Sequence, residues 1–282
     1  MTEPSLRARI EHFYATVPLV FAEAEAYGPL RLFVRGPAGA PYYGGPSHAR
    51  PTAAGAATVT GADIARVRGR QRELGVPEAF EWLDEVAPSM RGLIEGAGLP
   101  VLERPLMVLD PHHPLPPPPL PVGVTLRALD ADDPALPAAL ALPRLAFADA
   151  GTAVGSAGRG ELALVAAKLV DDGTLAAVRP VLRDGHKVLV AALAADGTPL
   201  AVGHYHPADG ITEIGGIGTL PTARRQGLGA AVMAALATHA RDHGVHTVFL
   251  AYAEDAVARI YARLGFRAAG TTLLIANQPA RS

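Results

Sequence analysis

The run "DPHHPLPPPPLP", Asp110 to Pro121, limits the folds open to this 282-residue chain more than any other feature. Proline fixes φ and removes a backbone donor, so neither a helix interior nor a central strand can pass through such a cluster. An extended, semi-rigid spacer is what it forms. Two cores must then be built separately, and the lengths on either side suit one domain each. The expected division is residues 1–110, a spacer over 111–121, and residues 122–282. His112 and His113 have the character of solvated spacer residues rather than metal ligands.

The second part alternates between two periodicities. "VGVTLRAL" has the period of a strand, and helical stretches follow around "LPAALALPRLAFADAG" and "GELALVAAKLVDDGTLAAVRPVLRDG". "HKVLVAAL", "PLAVGHYH" and "ITEIGGIGTL" read as three strands, the last two joined through "PADG", a turn with Pro early and Gly last. Leu228, Val232 and Leu236 share one face of a helix that ends near His243 and Gly244. "HTVFLAY" is a short buried strand. Val257, Ile260, Tyr261 and Leu264 mark a further amphipathic helix stopped by Gly265, and "TTLLIAN" closes as a strand. This order predicts the α/β class, with a mixed parallel and antiparallel sheet flanked by helices.

The first part repeats the end of the second. "FEWLDEVAPSMRGLIEGAGLPVLERPLMVL" matches "VFLAYAEDAVARIYARLGFRAAGTTLLI" element by element, with Gly98 against Gly265 at an offset of 167 residues. Trp82 then falls on Phe249, Leu93 on Ile260 and Ile94 on Tyr261. Self-similarity at domain length predicts a duplicated fold.

Between the third strand and the long helix stands "GTLPTARRQGLGAAVMAAL", Gly218 to Leu236. Glycine costs a helix roughly 1 kcal/mol against alanine, so Gly227 and Gly229 answer some need at its start. A tight turn is one. The other is a phosphate approaching the backbone, because the first N–H groups of a helix lack internal partners and carry the positive end of its dipole. An arginine just before them adds a charge-assisted clamp. A lone motif leaves both open. A Rossmann site would place a third glycine where Val232 stands and would follow βαβ units. Hairpin strands precede the loop instead, although Glu254 and Asp255 stand where such a site places its ribose partner.

Taken together, "IGTLPTARRQGLG" and the later "EDAVARIYARLGF" resemble the GNAT superfamily of acyl-CoA N-acyltransferases, over roughly Gly123 to Asn277. The resemblance implies a tandem of two GNAT-like domains, each a mixed central sheet flanked by helices, with the first a degenerate copy. It implies acetyl-CoA as co-substrate and direct acetyl transfer to an amine. Arg224, Arg225, Gln226, Gly227, Leu228, Gly229 and Ala230 would hold the pyrophosphate, and the backbone of Ile217 and Thr219 would pair with the pantetheine arm. Tyr261 would be the general acid beside the leaving thiolate, and Glu213 the general base. If "PADG" is a four-residue loop, His204 lies opposite Glu213 and the two act together. Glu254 replaces an Asn frequent in the family, which puts that residue's contact in doubt. The rival class is a non-catalytic acyl-CoA-binding regulator.

Composition narrows the remainder. The chain has no cysteine, which excludes disulfides, thiol nucleophiles and thiolate metal sites, and His204 with His206 makes a poor metal pair. A net charge of −2 gives no general pull towards nucleic acid or membrane. No apolar run is long enough to cross a bilayer, and the polar start "MTEPSLRARIEHFY" lacks the apolar core of a signal peptide, so a cytoplasmic location is expected. No Gly-x-Ser-x-Gly, Walker A or His-Glu-x-x-His motif offers a different chemistry. The first copy is expected to bind no CoA. Ile94 replaces the tyrosine, Asp63 looks like a helix N-cap, and Arg66, Arg68, Arg70 and Arg72 spread around a helix. One acetyl-CoA per monomeric chain and an amine of a small molecule or peptide complete the expectation.

Overall fold

The structure, a computed structural model, describes residues 4–36, 47–116, 119–149 and 151–276. The chain forms two compact units, residues 1–107 with 268–282, and residues 108–267. Pro117 and Pro118 of the spacer and Asn277 of the expected last strand lie outside the described residues.

The first unit runs α1 (Leu6–Thr16), β1 (Ala22–Tyr27), β2 (Leu30–Arg35), β3 (Ala49–Pro51), α2 (Gly61–Glu73), β4 (Ala79–Leu83), α3 (Ser89–Gly96) and β5 (Leu102–Leu109). The second runs β6 (Thr125–Ala128), α4 (Leu136–Ala148), α5 (Arg159–Asp171), α6 (Thr174–Arg183), β7 (Val188–Leu193), β8 (Pro199–Tyr205), β9 (Ile211–Thr219), α7 (Leu228–Asp242), β10 (Thr247–Ala251) and α8 (Asp255–Arg263). β11 (Phe266–Ala276) then carries the chain back into the first unit. Both units are mixed α/β, as the periodicities require.

That last strand corrects the expected boundary, which kept it with residues 122–282. Thr272–Ala276 pair antiparallel with Leu83–Ala79 of β4. Leu273 and Ile275 enter the core around Phe80, Trp82, Ile64 and Met90. An alternating strand reveals which residues face a core, but not which core receives them.

In the second unit the sheet order is β10-β9-β8-β7-β6, with β9 and β10 parallel and the other pairs antiparallel. The apolar face of α7 (Leu228, Val232, Leu236) is buried as its period predicts. Tyr205 of β8 donates or accepts a 2.8 Å hydrogen bond with Nδ1 of His239 on α7. The single long helix expected over 160–185 is instead α5 and α6. Gly173, at φ +79°, breaks it in the left-handed region.

The β8–β9 connection also differs from expectation. Asp209 (φ +46°) and Gly210 (φ +76°) form a two-residue turn between Ala208 and Ile211. Two consecutive positive φ values match the strand twist of a tight hairpin. His204 therefore pairs with Gly215 and Tyr205 with Ile214, and the same register sets His206, not His204, across from Glu213. A bulge with Gly216 at φ +63° then shifts the ladder before Val202 meets Gly218.

The start of the spacer is bound down rather than solvated. Arg241 donates to the carbonyls of Asp110 (2.6 Å) and His113 (2.8 Å), and Asp110 N–H donates to Gly265 at 3.1 Å. The His113 ring fills the space where a side chain on Gly265 would stand. Gly265, at φ +88°, is thus required for both conformation and room.

Candidate active site

β9, α7 and α8 converge on a cavity of about 520 Å³ in the second unit, a size that suits a small-molecule ligand. β9 contributes Ile217, Gly218 and Thr219. The loop and first turn of α7 contribute Arg224, Arg225, Gly227, Leu228, Gly229 and Ala230. Glu254, Val257, Ile260, Tyr261 and Leu264 line it from α8 and its ends. The apolar stripe that marks α8 in the sequence is therefore cavity wall. The carboxyl end of α4 adds Ala146 and Phe147, and the connection beyond it adds Gly151 and Thr152.

The loop conformation follows from its sequence. Pro221–Ala223 form a 3-10 turn, Arg225 takes φ +68°, and Gly227 at φ +77° occupies the N-cap of α7 without a side-chain cap. Gly227 is needed for that backbone angle, since a Cβ there would meet nothing within 4 Å. Gly229 faces a different limit: its Cβ would come 3.3 Å from Thr219 Oγ1. Arg225 in the left-handed region is costly for a residue with a Cβ, and such strain collects at ligand-binding loops. The loop thus presents the first N–H groups of a 15-residue helix to the cavity with no side chain of its own covering them.

Arg224 behaves unlike its neighbour. Arg225 is exposed, whereas Arg224 is buried with its donors engaged. One terminal nitrogen donates to the carbonyls of Ala146 (2.8 Å) and Asp149 (2.7 Å), the other to Ala153 (3.1 Å) and lies 3.6 Å from the Asp149 carboxylate. Arg224, expected as a pyrophosphate clamp, thus lines the cavity and also ties its loop to the end of α4. Its partners lie more than 70 residues away in sequence, beyond the reach of any local pattern. Gln226 is exposed on the loop and does not line the cavity.

Tyr261 is the buried residue of α8 and packs against Phe266, with ring centroids 6.0 Å apart. Burial pushes its phenol up to about 12, so it keeps its proton at neutral pH. Glu213 is fully buried on β9, opposite Phe249 of β10, and stands outside the cavity lining, four residues before Ile217. The histidine pair stacks edge to face at 5.4 Å. Burial, and then the nearby Lys187 charge, hold His204 well below the usual range and His206 at about 3, so both are neutral. His206 Nδ1 lies 2.8 Å from the His186 carbonyl. Among the described residues no group of three or more His, Asp or Glu side chains is arranged to hold a metal ion, and no helix is long and apolar enough to cross a membrane.

Comparison with known proteins agrees with this arrangement. Residues 166–266 match the Acetyltransferase (GNAT) family. A GCN5-related N-acetyltransferase from Kribbella flavida superposes with a TM-score of 0.71 at 21% identity, covering 99% of this chain and 98% of its own. A tandem GNAT protein from the clavulanic acid biosynthesis pathway does so at 0.54 and 16% identity, over 99% and 92% of the two chains. A GCN5-related N-acetyltransferase from Sphaerobacter thermophilus gives 0.54 at 17%, over 90% and 82%. These likenesses show the fold across the whole chain. No curated protein sequence matches.

Proposed function

We propose that this chain, whose residues 166–266 match the Acetyltransferase (GNAT) family, transfers an acetyl group from acetyl-CoA to an amine. The observation that carries this reading is the cavity itself. It joins an uncapped helix start, a strand bulged just before it, and a buried protonated tyrosine. The pyrophosphate would lie on the N–H groups of Gly227 to Ala230 with Arg225 as its cation. The pantetheine arm would run along Ile217 and Thr219 as an added strand.

In the transfer, the neutral amine nitrogen attacks the thioester carbon and the carbon–sulfur bond breaks. Tyr261 gives its proton to the departing thiolate, and Glu213, reached through water, takes the proton lost by the amine. His206, set across from Glu213, belongs to that end of the strand. The acceptor enters past α4 and the α4–α5 connection. One donor binds per chain, and the chain acts as a monomer.

The test is turnover. Wild-type protein incubated with acetyl-CoA and a panel of amines should release free CoA. Binding with no release would leave a CoA-binding regulator as the better account. Tyr261→Phe should lower kcat at least tenfold with acetyl-CoA affinity unchanged, since the ring keeps its packing. Wild-type kcat in that variant would assign the proton to another donor.

A further inference from the structure

Arg224 makes contacts that pyrophosphate binding does not explain. The last carbonyls of a helix lack internal partners and carry the negative end of its dipole, so a guanidinium beside them is favourable. Arg224 takes that place for α4, and it also gathers the carbonyls of Asp149 and Ala153 from the connection to α5. Two backbone bonds continue the stitching: Gly155 N–H donates to Pro221 at 3.1 Å and Thr222 N–H to Ala157 at 3.2 Å. Gly155 must lack a side chain, because Asp149 and Pro221 fill the space. The α4–α5 connection is therefore fastened along the whole turn that precedes α7. The same stretch holds Phe147, Gly151 and Thr152 against the cavity, with Phe147 63% exposed.

We infer that Arg224 is a positioning residue, which fixes the helical wall of the cavity through three carbonyls and does not itself bind phosphate. The wall it sets is the one that flanks the pantetheine arm and the entering acceptor, so its loss is felt by any molecule lying there, with or without phosphate. Arg225 carries the phosphate charge instead. This rests on the cavity taking an acyl-CoA, but the fastening itself is tested without any ligand.

The experiment compares Arg224→Ala and Arg225→Ala in the full chain with two probes, CoA and pantetheine, the second measured by ligand-observed NMR. Arg224→Ala should weaken both by the same factor, within about twofold. Arg225→Ala should weaken CoA at least tenfold and leave pantetheine alone. In the absence of ligand, tryptic cleavage after Arg159 should quicken at least fivefold in Arg224→Ala and stay at the wild-type rate in Arg225→Ala. Where Arg224→Ala does not fold, Arg224→Lys, which cannot span three carbonyls, should show the same pattern in weaker form. CoA affinity lost with pantetheine binding and proteolysis unchanged would overturn the inference and restore Arg224 as a phosphate ligand. If wild-type protein bound neither probe, the acyl-CoA reading would fail, and the proteolysis alone would decide the fastening.

Discussion

Helices α2 and α7 begin 167 residues apart, at Gly61 and Leu228, and the repeat sets Thr60 against Gly227 and Asp63 against Ala230. In α2, Thr60 is the N-cap and Asp63 the third helical residue. The Thr60 hydroxyl accepts from Asp63 N–H at 3.3 Å, and the Asp63 carboxylate accepts from Thr60 N–H at 3.0 Å. This reciprocal box corrects the sequence expectation that Asp63 is itself the cap, though its consequence is the same. In α7 the two positions carry glycine and alanine, and the N–H groups face a cavity. One helix start closes on itself, and the other borders a cavity without a side-chain cap. If the proposed function holds, the binding site is made by what the sequence omits.

The largest effect should come from giving α7 the acid of α2. Ala230→Asp places a carboxylate in the first turn, where it competes with a pyrophosphate for the same N–H groups and repels it. Losing two charge-assisted contacts of about 1.5 kcal/mol each amounts to roughly a hundredfold in affinity. Folding should not suffer, because an acid in the first turn stabilises a helix by about 0.3–1 kcal/mol. Titration calorimetry with CoA and a thermal melt would check both directions. Unchanged affinity would mean that α7 is an ordinary helix start and that the comparison has no functional content.

One buried cation from each unit extends the comparison. Arg50 of the first unit is paired, lying 3.5 Å from Glu11, 3.3 Å from Glu81 and over the Tyr14 ring at 4.2 Å. Lys187 of the second is driven down to about 8, with burial as the cause. In the unfolded chain its ammonium titrates near 10.4, so unfolding takes up a proton between about pH 8 and 10.4. The stability of the wild type should therefore rise over that window as the buried amine becomes neutral. Lys187→Met removes the penalty and should stabilise the protein at pH 7 by on the order of 2 kcal/mol. The gain should shrink as pH rises from 8 to 10, read from urea midpoints. A constant difference would show that the ammonium is compensated, as Arg50 is.

The sequence carried most of what is local. Gly227, Gly229 and Arg225 mark the loop, and the stripe Val257, Ile260, Tyr261 and Leu264 marks α8, because backbone angle and helical period are written in adjacent residues. Gly216 and the Asp209–Gly210 turn were harder. A loop two residues shorter than expected sets His206 in the place expected for His204, a two-residue shift that leaves both histidines on the same face of the strand. Long-range partners were not legible at all. Nothing near Arg224 announces the carbonyls of Ala146, Asp149 and Ala153, and nothing in "TTLLIAN" says that Leu273 packs with Trp82. Phe147 and Thr152 join the site only through the turn that α4 makes, so their part in the cavity has no sequence signature.

The smallest effect tests the closed helix start in its own right. Thr60→Ala removes the N-cap hydroxyl, which costs about 1 kcal/mol when the capped helix is part of a folding unit. CoA affinity should not change, because the helix start that is altered is already capped by Thr60 and Asp63. The pH dependence sharpens this. Hydrogen bonds from Thr60, side chain first, hold the Asp63 carboxyl below its ordinary value. A carboxylate with a lowered folded value stabilises the protein above the unfolded value near 3.9, and loses that contribution as pH falls through the folded one. The difference between wild type and Thr60→Ala should thus be full at pH 6 and diminish below about pH 4. Denaturant midpoints at pH 6 and pH 3 measure it. A loss of CoA binding in this variant would be the more telling result, since it would mean that the amino end of α2 supports a ligand after all and that the two copies share a function.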